Sequence, residues 1–417
     1  MEVPPTLEAP LEVPATRPLL ERTFAALGER DFRIFWIGQL ISVTGTWMQS
    51  VAQGWLVLQL TGSPFLLGVA VAARSLPVLV LGIPAGVAAD RFDRRRLIIA
   101  TSLVSIVVAA LLAVLTLTER INFGTIIVLA VIAGAANAVE MPARQSLVVE
   151  LAGRERLANA IALNSLLFNG ARVIGPAIAG LIVAFYGPGW AFAVNAASFV
   201  PVIAGLLLIG PGLAERVRVA ARGAVGELVA YLRLETRISG LLLLLALQTT
   251  FASGHLVIGP AVARQLGVGA EGLGFLLAAT GLGAVVAGLR LAAFPDKGLR
   301  WRVLVGSGLV LAAALGGVGL SPGFGVTLVL FAAAGFGMVT FNASANTLIQ
   351  SLVAERLRGR VMSLYTIVQL GLIPAGSLLM GALADMVGAA EALTIGGALW
   401  GLTVVVAFGS SRRLRRL

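Results

Sequence analysis

Several residue types that usually build functional sites are missing or rare in this sequence. Cysteine is absent, and the single histidine is His255. Disulfide frameworks, thiolate zinc sites, iron–sulfur clusters and histidine-rich metal centres are therefore excluded. Charged residues form only 12% of the 417 residues, whereas hydrophobic residues form 58%. A water-soluble domain of this size cannot cover its surface with so little charge, so the chain is expected to lie mainly in a lipid bilayer and to need no cofactor or metal.

Long apolar runs account for most of the chain. A helix needs about 20 residues to cross a bilayer, and twelve runs approach or exceed that length. They lie at about residues 34–60, 64–89, 96–117, 122–141, 158–186, 190–210, 238–264, 272–293, 302–320, 324–350, 360–386 and 391–409. The prediction is an all-α membrane protein with twelve transmembrane helices.

The basic residues lie in alternate connections between these runs. Of the 31 Arg and Lys residues, 27 lie in the two tails and in every second connection, whereas only Arg120 and Arg264 lie in the others. Positively charged connections remain on the cytoplasmic side. Both termini are therefore predicted to be cytoplasmic, in a cell membrane of the bacterial inner-membrane type. The net charge of +11 follows from this orientation and does not indicate a nucleic-acid partner.

The two halves of the chain resemble each other. A shift of 201 residues places Gly175–Gly180 on Gly376–Gly381, and a shift of 206 places Asp90-Arg91 on Asp296-Lys297. Such a repeat indicates two pseudo-symmetric six-helix bundles, which in transporters can rock about a central site. The predicted segments are a cytoplasmic tail (1–30), a first bundle (31–210), a linker (211–237), a second bundle (238–410) and a basic tail (411–417). The linker is predicted to hold a basic amphipathic helix on the inner leaflet, with a simple solvated linker as the alternative.

The connection between the second and third runs carries a charged motif. Its motif positions include Gly86, Asp90, Arg91, Arg94, Arg95 and Leu97. This pattern resembles the signature G-x-L-A-D-R-x-G-R-[KR]-x-L of the major facilitator superfamily, with Ala88 replacing the leucine and Asp93 the second glycine. The resemblance implies a conformational latch between helices 2 and 11, which favours the outward-facing state and loosens as the halves rearrange. The repeat adds Asp296 to this latch, and a cluster that only enforces topology is the alternative.

Other segments are similar to the branch of that superfamily that contains enterobactin-type and macrolide exporters. They are the runs that begin at Phe35, Ala136, Ala158 and Glu355. In helix 5, Gly175, Pro176 and Gly180 are similar to the antiporter signature G-P-x-x-G-G, with Ala179 at the first closing glycine. Because proline and glycine weaken a helix, these three residues are expected to form a hinge. The match favours export over uptake.

Polar side chains recur at helical spacing inside the predicted spans. Gln49 and Gln53 share one face of helix 1, and Asn342 and Asn346 share one face of helix 10. The superfamily lines its cavity mainly with helices 1, 4, 7 and 10, so the resemblance implies that these four side chains face the substrate. The alternative is that they form hydrogen bonds between helices.

Ionisable residues are the least favourable ones to place inside a membrane span. An arginine at a helix centre raises the free energy of insertion by about 2.5–3.5 kcal/mol unless it is paired or hydrated. Arg172 lies eight residues after Asn164 on helix 5, and both are assigned to the substrate cavity. Arg172 is expected to bind an acidic group there, or else to form a structural salt bridge. Arg74 has no partner that the sequence identifies. His255 is assigned to the cavity as a gating or proton-binding group, with a packed histidine as the alternative.

Proton coupling usually requires a carboxylate within the membrane, yet no Asp or Glu lies at the middle of a predicted span. The related branch often has an aspartate in helix 1, where this chain has Gly45-Thr46-Trp47. Glu140, near the inner end of helix 4 and four residues before Arg144, is therefore the coupling candidate. Its alternative role is an ion pair with the arginines of the charged motif.

The function that combines these observations is secondary active export of a small amphipathic or apolar compound, such as a drug, macrolide or siderophore, by proton antiport. A facilitator or importer, or a membrane sensor that transports nothing, is the alternative. The sequence has no G-x-x-x-x-G-K-[ST] run for ATP binding and no set of residues for enzymatic chemistry. The expected partners are a small-molecule substrate, protons and the bilayer, and the protein is expected to act as a monomer.

Overall fold

The computed structural model describes residues 24–209, 231–293 and 300–410. Nearly all of these residues are helical, and no strand occurs among them. Within these ranges, eleven helices are long and apolar enough to cross a membrane. The helix Arg30–Thr61, with 32 residues and a more polar composition, completes the set. The prediction of an all-α fold with twelve membrane helices is confirmed.

The helices follow one another through short connections. In chain order they are α1 (Arg30–Thr61), α2 (Pro64–Arg91), α3 (Arg94–Leu117), α4 (Phe123–Gly153), α5 (Arg156–Tyr186), α6 (Pro188–Leu208), α7 (Thr236–Leu247, a π-helical turn Gln248–Ala252, Gly254–Val257 and Gly259–Gln265), α8 (Gly269–Ala293), α9 (Arg300–Gly316), α10 (Phe324–Leu352), α11 (Arg358–Gly371 and Ile373–Val387) and α12 (Ala389–Ser410). Short 3₁₀ turns lie at Ala25–Gly28, Val318–Leu320 and Glu355–Leu357. The α4 helix is longer than predicted, because Pro142 is accommodated inside it.

Polar side chains and left-handed glycines fix several helix ends. The Ser63 side chain accepts a hydrogen bond from the backbone N–H of Leu66 at the start of α2. Asp93 in the same way accepts one from Arg96 at the start of α3, at 2.9 Å. Gly62 ends α1 with φ at 68°, a conformation that favours glycine. These caps keep the connections short, so consecutive helices lie antiparallel.

Helices α1 to α6 form the first lobe and α7 to α12 the second. The lobes meet where α2 packs on α11 and where α5 packs on α8. The two contacts are related by the shifts seen in the sequence. A Cβ atom added at Gly180 would lie 2.9 Å from the carbonyl oxygen of Ala270, and one added at Gly381 would lie 2.8 Å from that of Pro64. Since these glycines differ by 201 positions and their partners by 206, the same close helix contact occurs twice in the chain.

The lobes are close together at one end and apart at the other. The distal end, where α1 stops and α2 begins, contains the glycine contacts just described. At the terminal end, where α1 begins and α12 stops, a Cβ atom added at Gly82 in α2 or at Gly288 in α8 would have no described atom within 4 Å beyond its own helix. The structure is therefore closed at the distal end and open at the terminal end.

Parts of the predicted organisation lie outside the described residues. These are most of the first tail, the linker from 211 to 230, residue Asp296 of the proposed latch and the tail from 411 to 417. The end of the predicted linker, residues 231–234, is helical. There the hydroxyl of Tyr231 accepts a hydrogen bond from the backbone N–H of Ala354, which precedes α11.

Candidate functional site

A cavity of about 60 Å³ lies between the two lobes. Helices α1 and α5 of the first lobe and α7 and α8 of the second form its walls. The lining residues are Trp47, Ser50, Val51, Arg172, Pro176, Leu256 and Leu277. Its position is fixed by close helix packing, because a Cβ atom added at Gly281 of α8 would lie 2.8 Å from the carbonyl oxygen of Arg172. The cavity therefore lies where the two lobes converge.

Arg172 is the one charged residue that lines this cavity. Its guanidinium carbon lies 5.4 Å from the ring centroid of Trp47, which is a cation–π contact. Its Nε atom is buried without a hydrogen-bond partner, and no salt bridge among the described residues involves it. The alternative of a structural salt bridge at Arg172 therefore finds no support in the described part of the chain.

A second cavity, of about 40 Å³, lies within the first lobe. Helices α1, α2, α3, α4 and α6 surround it, and seven of its ten lining residues are polar. The lining residues are Thr46, Gln49, Arg74, Ser105, Val108, Ala133, Asn137, Glu140, Asn195 and Phe199. The cavity brings Arg74 and Glu140 together, so the arginine that had no partner in the sequence shares its surroundings with the one carboxylate of this lining.

Glu140 forms an ion pair with Arg144, one turn later on α4. The Arg144 Nη1 and Glu140 Oε1 atoms are 3.0 Å apart, and both side chains are nearly buried. Arg144 also lies over the ring of Phe168 on α5, at 4.8 Å from the ring centroid. No ion pair between Glu140 and the charged motif occurs among the described residues, where Arg94 of that motif pairs with Glu150 at 3.1 Å.

The two glutamines of α1 are both buried, but only Gln49 lines either of these cavities. Its Oε1 accepts a hydrogen bond of 2.6 Å from the side chain of Asn195 on α6. Gln53 is 7% exposed and lies one turn further along α1. Gln49 thus shows the interhelical bonding that was its alternative role, while it also faces the cavity of the first lobe.

The asparagines assigned to the substrate cavity have different surroundings. Asn346 accepts a hydrogen bond of 2.5 Å from the Gln350 side chain, one turn further along α10. The Oδ1 atom of Asn342 is buried and has no hydrogen-bond partner. Asn164 is half-buried on α5. None of the three lines the cavity around Arg172, and their role in substrate binding stays a prediction.

His255 lies directly after an irregular part of α7. The preceding residues Gln248–Ala252 form a π-helical turn, a feature that is often found at functional sites. The imidazole is fully buried, its Nδ1 lies 3.3 Å from the carbonyl oxygen of Ala252, and its edge packs on Phe331. Its Nε2 has no hydrogen-bond partner. His255 immediately precedes Leu256, which lines the cavity between the lobes, so it lies beside that cavity.

Comparison with known proteins decides the family. The family model of transmembrane secretion effectors, a group within the major facilitator superfamily, matches residues 21–417. The chain belongs to this family. It is similar to the staphyloferrin A transporter of Staphylococcus aureus, with 27% identity over 392 residues that make up 92% of this chain and 97% of the relative. It is also similar to the multidrug efflux pump Tap of Mycolicibacterium fortuitum, with 30% identity over 362 residues, or 84% and 88% of the two chains.

A solved structure shows the same fold. The crystal structure of the nucleoside transporter NupG aligns with a TM-score of 0.70 and 13% identity, covering 91% of this chain and 98% of that one. At this identity the likeness concerns the fold alone. The protein is thus a multi-pass membrane transporter of the major facilitator superfamily, and not an enzyme.

The superfamily motif of the α2–α3 connection lies at the open terminal end of this transporter. A Cβ atom at Gly86 would have open space around it, so this glycine does not bring α2 and α11 together here. The motif instead joins parts of the first lobe: Arg95 donates a 3.2 Å hydrogen bond to the carbonyl oxygen of Leu207 on α6. Arg91 is exposed, and the side chain of Asp90 lies outside the described part. The latch therefore stays a prediction.

The predicted hinge residues of α5 have a visible packing role. A Cβ atom at Gly175 would lie 2.6 Å from the Cβ of Trp47 on α1, and the carbonyl oxygen of Pro176 would lie 2.6 Å from a Cβ at Gly274 on α8. Within the helical run Phe123–Tyr186, the one residue with non-helical dihedral angles is Gly153. Close packing is thus shown for the G-P-x-x-G segment, and bending stays a prediction.

The sequence analysis gave no site role to three residues that contact predicted site residues. Asn195 binds Gln49 from α6, Arg144 binds Glu140, and Trp47 lies beneath Arg172. A signal existed for Arg144, because a Glu and an Arg four positions apart on a helix form a favourable pair. Asn195 and Trp47 become recognisable only when the packing of α6 and α5 against α1 is known.

Proposed function

We propose that this protein is a secondary active exporter of a small amphipathic or apolar compound and that it works by alternating access with proton antiport. The observation that carries the proposal is the arrangement of the lobes. They are closed at the distal end by a repeated glycine contact and open at the terminal end, and a small cavity lies where they converge. With both termini in the cytoplasm, as the basic connections predict, this is an inward-facing state, ready to take up substrate from the cell.

The relatives support the direction and the range of substrates. One relative is a multidrug efflux pump, and another is a staphyloferrin A transporter. The cavity between the lobes has the matching chemistry of apolar and aromatic walls with one cation. The two bundles, residues 31–210 and 238–410, act in this proposal as rigid halves that rock about the cavity, within a single monomer.

Glu140 is the proposed carrier of the coupling proton. It is the one carboxylate that lines the cavity of the first lobe, where Gln49, Asn137 and Asn195 provide a polar path. Proton uptake neutralises the carboxylate and releases Arg144, which also contacts Phe168 on α5. The ion pair thus connects the protonation state of Glu140 on α4 with the position of α5, the helix that carries Arg172.

The test uses purified protein in liposomes, with radiolabelled erythromycin and enterobactin as probes. Transport driven by a proton gradient is expected, and an uncoupler should abolish it. Glu140→Gln is expected to lose gradient-driven transport while keeping exchange of labelled for unlabelled probe, because exchange needs no net proton movement. The matched control is Arg120→Gln, a change of one charge at an exposed turn, which should behave like the wild type.

Each alternative gives a different result. Transport that persists with the uncoupler would remove proton coupling and support a facilitator. Accumulation of the probes by intact cells, in place of their export, would support an importer. A well-folded protein that moves neither probe in either direction would support a sensor.

A further inference from the structure

The cavity between the lobes has a positively charged residue in its walls and no negatively charged one. Its walls contain Arg172 and no carboxylate. The other embedded arginines with described ion pairs are compensated, since Arg144 lies 3.0 Å from Glu140 and Arg94 lies 3.1 Å from Glu150. Arg172 therefore brings an uncompensated positive charge to the point where the lobes converge.

No group around Arg172 in the described part of the chain supplies a negative charge that would balance its own. Its cation–π contact with the Trp47 ring offsets only part of the cost of placing an arginine within a membrane helix. The buried Nε has no acceptor in the described part of the chain. His255, the nearby titratable group, is fully buried, and its imidazole cannot carry a negative charge at physiological pH. The Nε–H group of Arg172 is thus a buried donor without an acceptor.

The rest of the cavity is suited to an apolar group. Val51, Leu256 and Leu277 line it together with the Trp47 ring. A volume of about 60 Å³ holds a single charged group, so the body of a larger ligand would extend beyond the cavity towards the open terminal end.

We propose that this cavity is a binding site for the anionic group of an amphipathic organic anion, with Arg172 as the residue that binds the charge. This inference rests on the proposed transport function and adds one class to its substrates, namely compounds that join one acidic group to an apolar body. Arg172 is then a specificity residue: a neutral compound of the same shape would leave the positive charge unbalanced and the buried Nε–H without a charged acceptor, and this is a strong source of discrimination.

The test compares dansylglycine with dansylglycinamide, two probes that share the dansyl group and differ in the carboxylate. Binding to the transporter in lipid nanodiscs is measured by energy transfer from tryptophan, since Trp47 lies in the site. The wild type should bind dansylglycine at least about tenfold more tightly than the amide, which corresponds to one full charge-assisted hydrogen bond. Arg172→Gln should bind both probes with the weaker affinity, and Arg172→Lys should keep part of the preference.

A second measurement shows that the variants fold. Arg172→Gln removes an uncompensated embedded charge, so its Tm without ligand should be equal to or higher than that of the wild type. Arg144→Gln, which leaves Glu140 without its partner, should have a lower Tm. Arg120→Gln removes an exposed charge and should keep the full preference for dansylglycine.

The inference is overturned if the wild type binds the two probes equally or binds neither, or if Arg172→Gln keeps the preference. These outcomes leave the proposed function intact where erythromycin is still exported in a gradient-dependent manner. Conversely, selective binding of dansylglycine without transport of any probe would retain the anion site and reject the exporter.

Discussion

The contact of α2 with α11 at Gly381 allows a sharp test of lobe movement. A Cβ atom at this position would lie 2.8 Å from the Pro64 carbonyl oxygen and 3.1 Å from the Cα of Phe65. Ordinary contact begins at 3.4 Å, so the backbone must retreat by about 0.6 Å. Gly381→Ala thus introduces overpacking of about 1–3 kcal/mol, but only in states that are closed at the distal end.

A matched control exists within the second lobe. A Cβ atom at Gly337 on α10 would lie 2.8 Å from the carbonyl oxygen of Ser307 on α9. Gly337→Ala therefore places the same methyl group at the same distance from a backbone carbonyl, but in a contact that both conformations share. It should lower Tm without moving the lobes, whereas Gly381→Ala should move the lobes because the open distal end relieves its clash.

The assay measures the distance between the lobes at the distal end. Because the chain has no cysteine, spin labels attach only where cysteines are introduced. Arg120 and Leu320 are exposed and lie in the α3–α4 and α9–α10 connections, so Arg120→Cys and Leu320→Cys report opening by pulsed electron spin resonance. Gly381→Ala should raise the population with a long distance about 5- to 150-fold. An unchanged distribution with a normal Tm would refute the rocking of rigid lobes about this contact.

Three further outcomes follow from single contacts. Asp385→Ala removes the acceptor of the 2.7 Å hydrogen bond from Ser63, which joins the lobes at the distal end, and the same labels should show a shift towards opening of about two- to tenfold. Trp400→Phe deprives the buried carbonyl of Gly308 of its indole donor at 2.9 Å, so thermal unfolding should show a loss of about 1–3 kcal/mol with no change of label distance. Asp93→Ala removes the cap of α3 and should destabilise by about 1 kcal/mol, whereas Asp93→Gly, which restores the superfamily residue, should cost only about a few tenths, as measured by urea-dependent loss of helicity in detergent.

Most of the fold could be predicted from the sequence, because the length and polarity of each segment decide whether it forms a membrane helix. Apolar runs of membrane-spanning length define the twelve helices, and the glycines that repeat at 201 positions indicate where helices must approach closely. Pro142 shows the limit of this reasoning. It suggests the end of a span, yet α4 continues through it, since surrounding helices can satisfy the freed backbone group.

The candidate sites were less accessible to sequence reasoning because they depend on which face of each helix meets its neighbours. Glu140 and Arg144 lie one turn apart and could have been paired from spacing alone. Arg74 could not be placed, because its shared cavity with Glu140 exists only once α2 packs on α4. The sequence also did not determine the contacts of the charged motif. Its arginines Arg94 and Arg95 bind residues of the first lobe in this structure, which is open at the terminal end.

Because the two lobes repeat the same backbone packing, only their polar side chains can make them respond differently to a substrate or an ion. The glycine contacts of the two lobes are equivalent, so the backbone packing alone gives no reason for the lobes to respond to a particular substrate or ion. The side chains break this equivalence: Arg172 and the Glu140–Arg144 pair lie in the first lobe, and the position equivalent to Gln49 in the second lobe is occupied by His255. Differential binding to two conformations requires such an asymmetry, because a ligand shifts an equilibrium only by its difference in affinity for the two states. The first lobe should therefore carry the chemistry of recognition and coupling, while the second supplies the matching surface against which it moves.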